Sequence, residues 1–184
     1  MECNSETRMA YLSIAIGSMF SGKTSWLIEK YYIHKNRGKK CYPINYIEDT
    51  RYSDTKMSTH NKIMIDCYRC TNLMDLLDEE TINSFDVFFI NEGQFYSDLI
   101  EAVKLLLSKN KKIYLSGLDG DFNQNKFGNI IDLIPICDKV IKLRAICEYC
   151  KDYGIFTKRL SGEKEQKVIG ADNYVAVCRK CLNA

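Results

Sequence analysis

Gly17-Ser18-Met19-Phe20-Ser21-Gly22-Lys23-Thr24 stands between an apolar run, residues 11–16, and a helical pattern. The spacing fits G-x-x-x-x-G-K-[ST], in which glycines allow successive backbone N–H groups to point at a phosphate. In this motif the lysine reaches the outer phosphates, the threonine hydroxyl holds Mg²⁺, and the next helix directs its positive end at the same anion. Because a predicted strand precedes the match and a predicted helix follows it, the sequence predicts a nucleotide-binding loop here.

Predicted strands and helices alternate after this loop. Strands are predicted over four segments, 40–47, 87–90, 112–118 and 140–143. A helix is predicted over 24–36, and Leu99, Val103 and Leu106 form the apolar stripe of another. This alternation predicts an α/β fold with a doubly wound parallel sheet and with ligands at the carboxyl ends of the strands.

Other local predictions concern the segment between the second and third predicted strands. Pro43 places its strand near a sheet edge, because proline cannot donate a ladder hydrogen bond. Residues 48–61 have no periodicity and many polar side chains, which predicts a loop. The leucines of 73–77 predict a short helix, and the acidic residues 78–80 are interpreted as its solvated end.

The composition is that of an ordinary globular protein. The 184 residues suffice for one domain with a small appendage, and 46% hydrophobic and 27% charged residues are usual values. A net charge of +2 gives no reason to expect nucleic-acid or membrane partners, and no apolar run approaches a membrane span in length. The first residues lack the features of a signal peptide. Nine cysteines then argue for metal ligands or free thiols, so we expect a cytoplasmic protein.

Two C-x-x-C pairs lie near the end of the chain, Cys147–Cys150 and Cys178–Cys181. Each pair places two thiolates on one side of a tight turn, and two such turns complete a tetrahedron around Zn²⁺. All the ligands are cysteines, so no position is left for water, which favours structural over catalytic zinc. The pairs would hold a hairpin and loop from Gly154 to Tyr174.

The remaining cysteines and the histidines carry weaker signals. Four thiols without a second pair nearby are interpreted as buried or free, namely Cys41, Cys67, Cys70 and Cys137. His34 and His60 are expected to be surface or loop residues, and neither is assigned a metal.

An acidic residue follows the apolar run of residues 87–90. In phosphate-loop enzymes a carboxylate at such a strand end serves the metal or the reacting group. Glu92 has this position, where desolvation favours a carboxylate that accepts a proton. The alternative is that Glu92 only caps a helix N-terminus. A phosphate loop on what is expected to be a neighbouring strand favours the catalytic interpretation.

Together these motifs resemble those of the thymidine kinases of the cellular and poxvirus type. The matching segments, in the family's order, are Gly17–Thr24, Asp49–Tyr52, Glu92–Phe95, Leu118–Phe122, Phe127–Gly128, Thr157–Leu160 and the two cysteine pairs. The resemblance covers nearly the whole chain, residues 12–181. It implies a P-loop nucleotide-binding α/β domain of RecA-like type in residues 1–143. It also implies a zinc-binding lasso domain in residues 144–184 that covers the nucleoside site.

The resemblance implies an activity as well. Enzymes of this family transfer the γ-phosphoryl group of ATP to the 5′-hydroxyl of thymidine, which gives dTMP for DNA synthesis. The implied cofactors are ATP, Mg²⁺ and structural Zn²⁺. The implied partners are thymidine and ATP, with thymidine triphosphate as a feedback inhibitor, and the implied assembly is a homotetramer.

The family's site residues can be carried over position by position. Glu92 resembles the general base that accepts the proton of the 5′-hydroxyl. The residues implied around the ATP phosphates and Mg²⁺ are Gly17, Ser18, Met19, Phe20, Ser21, Gly22, Lys23, Thr24, Asp49, Arg51, Asn91, Gln94 and Arg159. Those implied around thymidine are Met19, Phe95, Leu118, Phe122, Phe127, Thr157, Val168, Gly170 and Tyr174. The implied zinc ligands are Cys147, Cys150, Cys178 and Cys181.

Two departures from the family pattern leave an alternative function. Asn91 stands where an aspartate usually contacts the metal through water, although an amide oxygen can still orient such a water. The segment of residues 169–172 has one glycine where two are common. The alternative is a nucleotide-binding module with weak or no kinase activity. A nucleic-acid-binding ribbon is discounted, because Glu163 and Glu165 balance the charges of residues 158–159.

Overall fold

The structure is a computed structural model that describes residues 9–49, 56–59, 63–162, 164–166 and 173–184. The first elements are β1 (Tyr11–Gly17), α1 (Lys23–Asn36), β2 (Cys41–Tyr46), β3 (Lys56–Ser58), β4 (Met64–Asp66), β5 (Tyr68–Cys70), a 3₁₀ helix (Leu73–Leu76), α2 (Glu79–Ser84) and β6 (Val87–Ile90). A 3₁₀ helix (Gly93–Phe95), α3 (Leu99–Ser108), β7 (Lys112–Gly117), a 3₁₀ helix (Ile130–Ile136) and β8 (Lys139–Leu143) follow. The last elements are β9 (Ala145–Ile146), β10 (Tyr153–Gly154), β11 (Phe156–Arg159), β12 (Tyr174–Val177) and α4 (Arg179–Leu182).

The centre of the fold is a six-stranded sheet in the order β5–β2–β6–β7–β1–β8. All its pairings are parallel, so both of its faces must be covered. Val87 and Phe89 pack with α1 on one face, and Phe88 and Ile90 pack with α3 on the other. The predicted doubly wound sheet is therefore confirmed.

The order of the strands corrects one expectation about the site. β1 carries the phosphate loop and β6 leads to Glu92, but β7 lies between them, so they are not neighbours. Two strand spacings separate β1 from β6, which is about 10 Å. The phosphate loop and the strand that leads to Glu92 are therefore separated by β7 at the carboxyl edge of the sheet.

The edge of the sheet near β2 agrees in part with the sequence. β5 pairs with β2 only from Ile44 onward, so among the described residues Pro43 has a strand on one side only. The loop predicted over 48–61 is wrong where β3 pairs with β4 as an antiparallel hairpin. This strand is too short to show periodicity, and one buried residue, Met57, holds it against Ile65 and α1. Residues 50–55 and 60–61 of that prediction lie outside the described residues.

Two further expectations are wrong. The acidic residues 78–80 begin a helix instead of ending one: Asp78 accepts a hydrogen bond from the Thr81 N–H at 2.7 Å and caps α2. His34 is not a surface residue, since α1 buries it to 6% exposure and places its Nε2 2.9 Å from the Tyr114 hydroxyl. His60 lies outside the described residues.

The C-terminal region is built from two small antiparallel pairs of strands. β9 pairs with β10, and β11 pairs with β12. The predicted hairpin from Gly154 to Tyr174 corresponds to β11, β12 and the loop between them, of which residues 163 and 167–172 are outside the description. None of the helices in the described ranges has the length and apolar character needed to cross a membrane.

Candidate active site

The phosphate loop joins the end of β1 to the start of α1. Gly17 has φ +148°, and a Cβ there would overlap the carbonyl oxygen of Leu143 in β8, so only glycine fits. Lys23 is 9% exposed, and its Nζ donates to the Ser18 carbonyl oxygen at 2.6 Å. The ammonium group therefore lies over the loop, where the motif requires a positive charge for phosphate.

A series of hydrogen-bonded polar side chains continues from the first turn of α1. Asn91 Oδ1 lies 3.4 Å from Thr24 Oγ1 and accepts from Ser116 Oγ at 2.8 Å. Asn91 Nδ2 donates to Asn45 Oδ1 at 2.9 Å, and Asn45 Nδ2 donates to Asp49 Oδ2 at 3.2 Å. The side-chain oxygens of Thr24 and Asn91 are of the type that Mg²⁺ prefers, so these two donors fit the ion that the family implies.

The sequence predicted three of the five residues in this hydrogen-bonded series. Thr24, Asn91 and Asp49 were predicted, whereas Asn45 and Ser116 were not. Both missed residues are buried, at 1% and 0% exposure, inside mostly apolar strands. A polar residue near the carboxyl end of a predicted parallel strand was the available signal.

Glu92 follows β6 in a conformation that is unusual for its residue type. It has φ 55° and ψ 42°, the left-handed region, which costs a non-glycine residue about 1–2 kcal/mol. It is 7% exposed, and its Oε2 accepts from Gln94 Nε2 at 2.7 Å. The side chain makes no capping bond to the following 3₁₀ helix, so the alternative of a simple helix cap is not supported.

Gln94 links Glu92 to the next strand. Its Oε1 accepts from the backbone N–H of Leu118 at 2.9 Å, just beyond β7. Gln94, which was predicted on the ATP side, thus lies directly beside Glu92 and fixes the direction of its carboxylate. Strained backbone that its neighbours hold in place is typical of functional sites.

Aromatic side chains lie next to this carboxylate. Phe95 and Phe127 meet edge-on at a centroid distance of 5.5 Å, and Tyr46 packs on Phe95 at 5.0 Å. Phe95 and Leu118 were predicted in the nucleoside pocket and adjoin Gln94. The structure therefore brings three of the predicted pocket residues, Phe95, Leu118 and Phe127, close to Gln94, which holds the Glu92 carboxylate.

The C-terminal hairpin contacts the phosphate loop directly. The Met19 N–H donates to Thr157 Oγ1 at 3.0 Å, and Ser18 Oγ donates to the Gly154 carbonyl oxygen at 3.3 Å. A cavity of about 130 Å³ lies between this loop, residues 119–121 and β11. Met19 and Thr157, both predicted at the nucleoside, are thus in contact.

Arg159 joins the hairpin to another predicted pocket residue. Its guanidinium stacks over Phe122 at 3.8 Å and donates to the Tyr174 hydroxyl at 2.6 Å and 3.1 Å. It also donates to the carbonyl oxygens of Glu165 and Gln166 at 2.6 Å and 3.2 Å. Three predicted site residues, Arg159, Phe122 and Tyr174, form one cluster. Arg51, Val168 and Gly170 lie outside the described residues.

The two cysteine pairs converge on one point. The four Sγ atoms of Cys147, Cys150, Cys178 and Cys181 lie within 4.8 Å of one another, and Cys150 and Cys178 are 3.6 Å apart. A tetrahedral zinc with Zn–S bonds of about 2.3 Å needs S–S distances of about 3.8 Å. The Cys150 N–H lowers the pKa of Cys147 to about 6, whereas burial raises that of Cys181 to about 12. Four thiolates cannot coexist here without a cation, so the donor set fits Zn²⁺.

Known proteins match this sequence along nearly the whole chain. The family model described as "Thymidine kinase" matches residues 10–182. The chain is 39% identical to the thymidine kinase of Variola virus over 172 residues, which are 93% of this chain and 96% of the relative. It has the same identity and coverage with the thymidine kinases of Vaccinia virus (strain Western Reserve) and Monkeypox virus. The matched length, together with the phosphate loop and the converging cysteines, places the chain in the thymidine kinase family.

Proposed function

We propose that this protein transfers the γ-phosphoryl group of ATP to the 5′-hydroxyl of thymidine and releases dTMP and ADP. The proposal rests chiefly on Glu92, a buried carboxylate that Gln94 holds at 2.7 Å, at the end of the strand two places along the sheet from the phosphate-loop strand. Two strand spacings, about 10 Å, are a separation that a sugar hydroxyl and a phosphoryl group could span. Membership of the family favours this activity over a nucleotide-binding module without catalysis.

Glu92 is the proposed general base. As O5′ of thymidine forms its bond to the γ-phosphorus, the carboxylate takes the hydroxyl proton, and the bond from phosphorus to the bridging oxygen of ADP breaks. Lys23 and the backbone N–H groups of residues 17–24 are proposed to hold the ATP phosphates. Mg²⁺ bound beside Thr24 would neutralise phosphate charge, and Asn91, Asp49 and Arg51 are assigned to that side.

The thymine base is assigned to the region of the aromatic cluster around Phe95. A flat, mostly apolar base suits an apolar pocket with a few polar groups. The proposed lining residues are Met19, Phe95, Leu118, Phe122, Phe127, Thr157, Val168, Gly170 and Tyr174. Arg159 would stabilise charge on the transferred phosphoryl group by exchanging one of its carbonyl acceptors, Glu165 or Gln166, for a phosphoryl oxygen.

The C-terminal region is proposed to be a separate lasso domain with structural zinc. Its boundary lies between β8, which ends at Leu143, and β9, which begins at Ala145. Zinc would hold β9–β10 and β11–β12 against the phosphate loop, because both hairpins carry or adjoin the cysteine pairs. Residues 1–143 would then form the nucleotide-binding domain.

Inhibition, assembly and location complete the proposal. Thymidine triphosphate is the proposed feedback inhibitor, because its base suits the proposed pocket and its phosphates suit the adjoining loop. Self-association, which a homotetramer requires, is supported by β8, an edge strand of the described sheet, and by the exposed Ile134, Ile136 and Val140 around it, at 39%, 42% and 42%. A cytoplasmic location is supported by the zinc cysteines, which must stay reduced.

The function can be tested with the purified protein, ATP, Mg²⁺ and a panel of thymidine, deoxyuridine and deoxycytidine. We expect dTMP from thymidine, and zinc quantitation on the same sample should give one ion per chain. Glu92→Gln keeps an acceptor for Gln94 but removes the base, so turnover should fall by about 10²–10⁴-fold while ATP binding persists. Absence of dTMP in the wild-type protein, or near-normal turnover of Glu92→Gln, would overturn the proposal.

A further inference from the structure

We propose that Asp49 is a positioning residue that sets the direction of the hydrogen-bond chain Asp49–Asn45–Asn91–Thr24. The role extends the proposed function, since the chain ends at the hydroxyl assigned to Mg²⁺. In this role Asp49 need not touch the metal or the substrate. Its charge fixes which atom of Asn91 faces Thr24.

The direction follows from what each group can donate. A carboxylate only accepts hydrogen bonds, so Asn45 must turn its Nδ2 toward Asp49, which it does at 3.2 Å. Asn45 Oδ1 then faces Asn91 and accepts from its Nδ2 at 2.9 Å. Asn91 Oδ1 is left to face the two hydroxyl groups, those of Ser116 at 2.8 Å and Thr24 at 3.4 Å.

The hydroxyl groups at the other end cannot set this direction. Ser116 and Thr24 can each donate or accept, so they would satisfy an amide that faced them with either its oxygen or its nitrogen. If both amides turned over, every bond of the chain could form except the one to Asp49. Asn45 and Asn91 are 1% and 2% exposed, so water does not compete for these positions. The Asp49 carboxylate therefore favours the observed orientation of the two amides over the reversed one.

The direction matters for the lone pairs of Thr24. In the observed arrangement the Thr24 hydroxyl directs its proton to Asn91 Oδ1, which leaves the oxygen lone pairs for a cation. In the reversed arrangement Asn91 Nδ2 would donate to Thr24 Oγ1 and compete with the cation for them. Asn91 suits a metal site here because the Asp49 carboxylate, which can only accept hydrogen bonds, forms the other end of the hydrogen-bond chain.

The test removes the carboxylate from position 49 and then places one at position 45, the next residue of the hydrogen-bond chain. Asp49→Asn allows both directions, and if half of the molecules are reversed and bind no metal, the apparent metal affinity falls about twofold. Asn45→Asp combined with Asp49→Asn restores the direction, because an aspartate at 45 accepts from Asn91 directly and the net charge is that of the wild-type protein. Glu48→Gln is the matched control, since it removes one charge from the adjacent position, which lies outside the chain and bonds the Tyr46 hydroxyl.

The readout is Mn²⁺ bound to the complex of full-length protein with a non-hydrolysable ATP analogue, titrated by electron paramagnetic resonance. We expect weaker Mn²⁺ binding in Asp49→Asn than in Glu48→Gln, and recovery in the double variant. Equal affinities in the two single variants would overturn the proposal, as would a folded double variant that binds no better than Asp49→Asn. Turnover of thymidine by the wild-type protein tests the proposed function separately, so the two failures are distinguishable.

Discussion

Replacing Gly128 with alanine should lower kcat by displacing Glu92, although Gly128 itself is not the proposed base. Gly128 has φ +58°, and a Cβ on it would overlap the carbonyl oxygen of Gln94 and lie 3.0 Å from its Cα. Gln94 in turn holds the Glu92 carboxylate. The obstructing atoms are backbone, so no side-chain rotation can relieve the overlap. The turn that carries the proposed base must shift.

A second glycine separates backbone strain from this overlap. Gly38 has φ +72° and no atom within 4 Å of an added Cβ, so Gly38→Ala carries only the conformational cost. That cost is about 1–2 kcal/mol, which corresponds to a fall in Tm of about 2–8 °C for a domain of this size. Gly128→Ala should lose more stability than Gly38→Ala, because it carries the same conformational cost and also displaces Gln94. A shift of about 1 Å in a catalytic group can lower turnover by about 10²-fold.

Urea unfolding and steady-state kinetics on the two variants give the comparison. We expect Gly38→Ala to keep its kcat, and Gly128→Ala to be the less stable of the two with a kcat about 10- to 100-fold lower. If the two variants lost equal stability and both kept full turnover, the contact between Gly128 and Gln94 would have no part in positioning the base.

Three further predictions concern Gln94, the cysteines and His34. Gln94→Leu removes the bond to Glu92 Oε2 and should lower kcat by about 10-fold or more, the worth of a hydrogen bond to a charged group, while the KM for ATP in the same kinetics stays nearly constant. A chelator that removes zinc should raise the KM for thymidine and lower the Tm, because the hairpin that contacts Met19 loses its anchor; an unchanged KM after verified zinc loss would count against the lasso assignment. Burial, then the charges of Lys112 and Arg37, lower the pKa of His34 from 6.5. Below pH 6.5 the unfolded chain therefore binds the proton more readily than the folded protein, and the free energy of unfolding decreases as the pH decreases. His34→Gln should flatten that part of a plot of unfolding free energy against pH.

The parts that sequence could predict are those encoded by local spacing. The phosphate loop needs only the residues from Gly17 to Thr24, and each cysteine pair needs four consecutive positions. Periodicity was sufficient for α1, α3 and the central strands, because each extends over several residues of one pattern. β3 failed this test because a three-residue strand has no measurable period, and its one buried residue, Met57, depends on a partner in β4.

The rest of the site depends on pairings between distant residues. Asn91 bonds Asn45, which is 46 positions away, and Met19 bonds Thr157, which is 138 positions away. No local pattern encodes such distances, and the order of the strands decides them. The expectation that β1 and β6 are neighbours was wrong for this reason, since the sequence shows that both strands exist but not that β7 lies between them.

The intervening strand explains how the site keeps its two halves apart. Ser116, in β7, bonds Asn91 and so belongs to the metal side, whereas Leu118, just beyond the same strand, bonds Gln94 and so belongs to the base side. One strand end thus holds both halves in register through groups two residues apart. Glu92 is fixed in a strained conformation by one set of bonds, and Asn91, its neighbour in sequence, is fixed by another. The protein can therefore direct the carboxylate and the amide oxygen independently, although both side chains begin on adjacent residues.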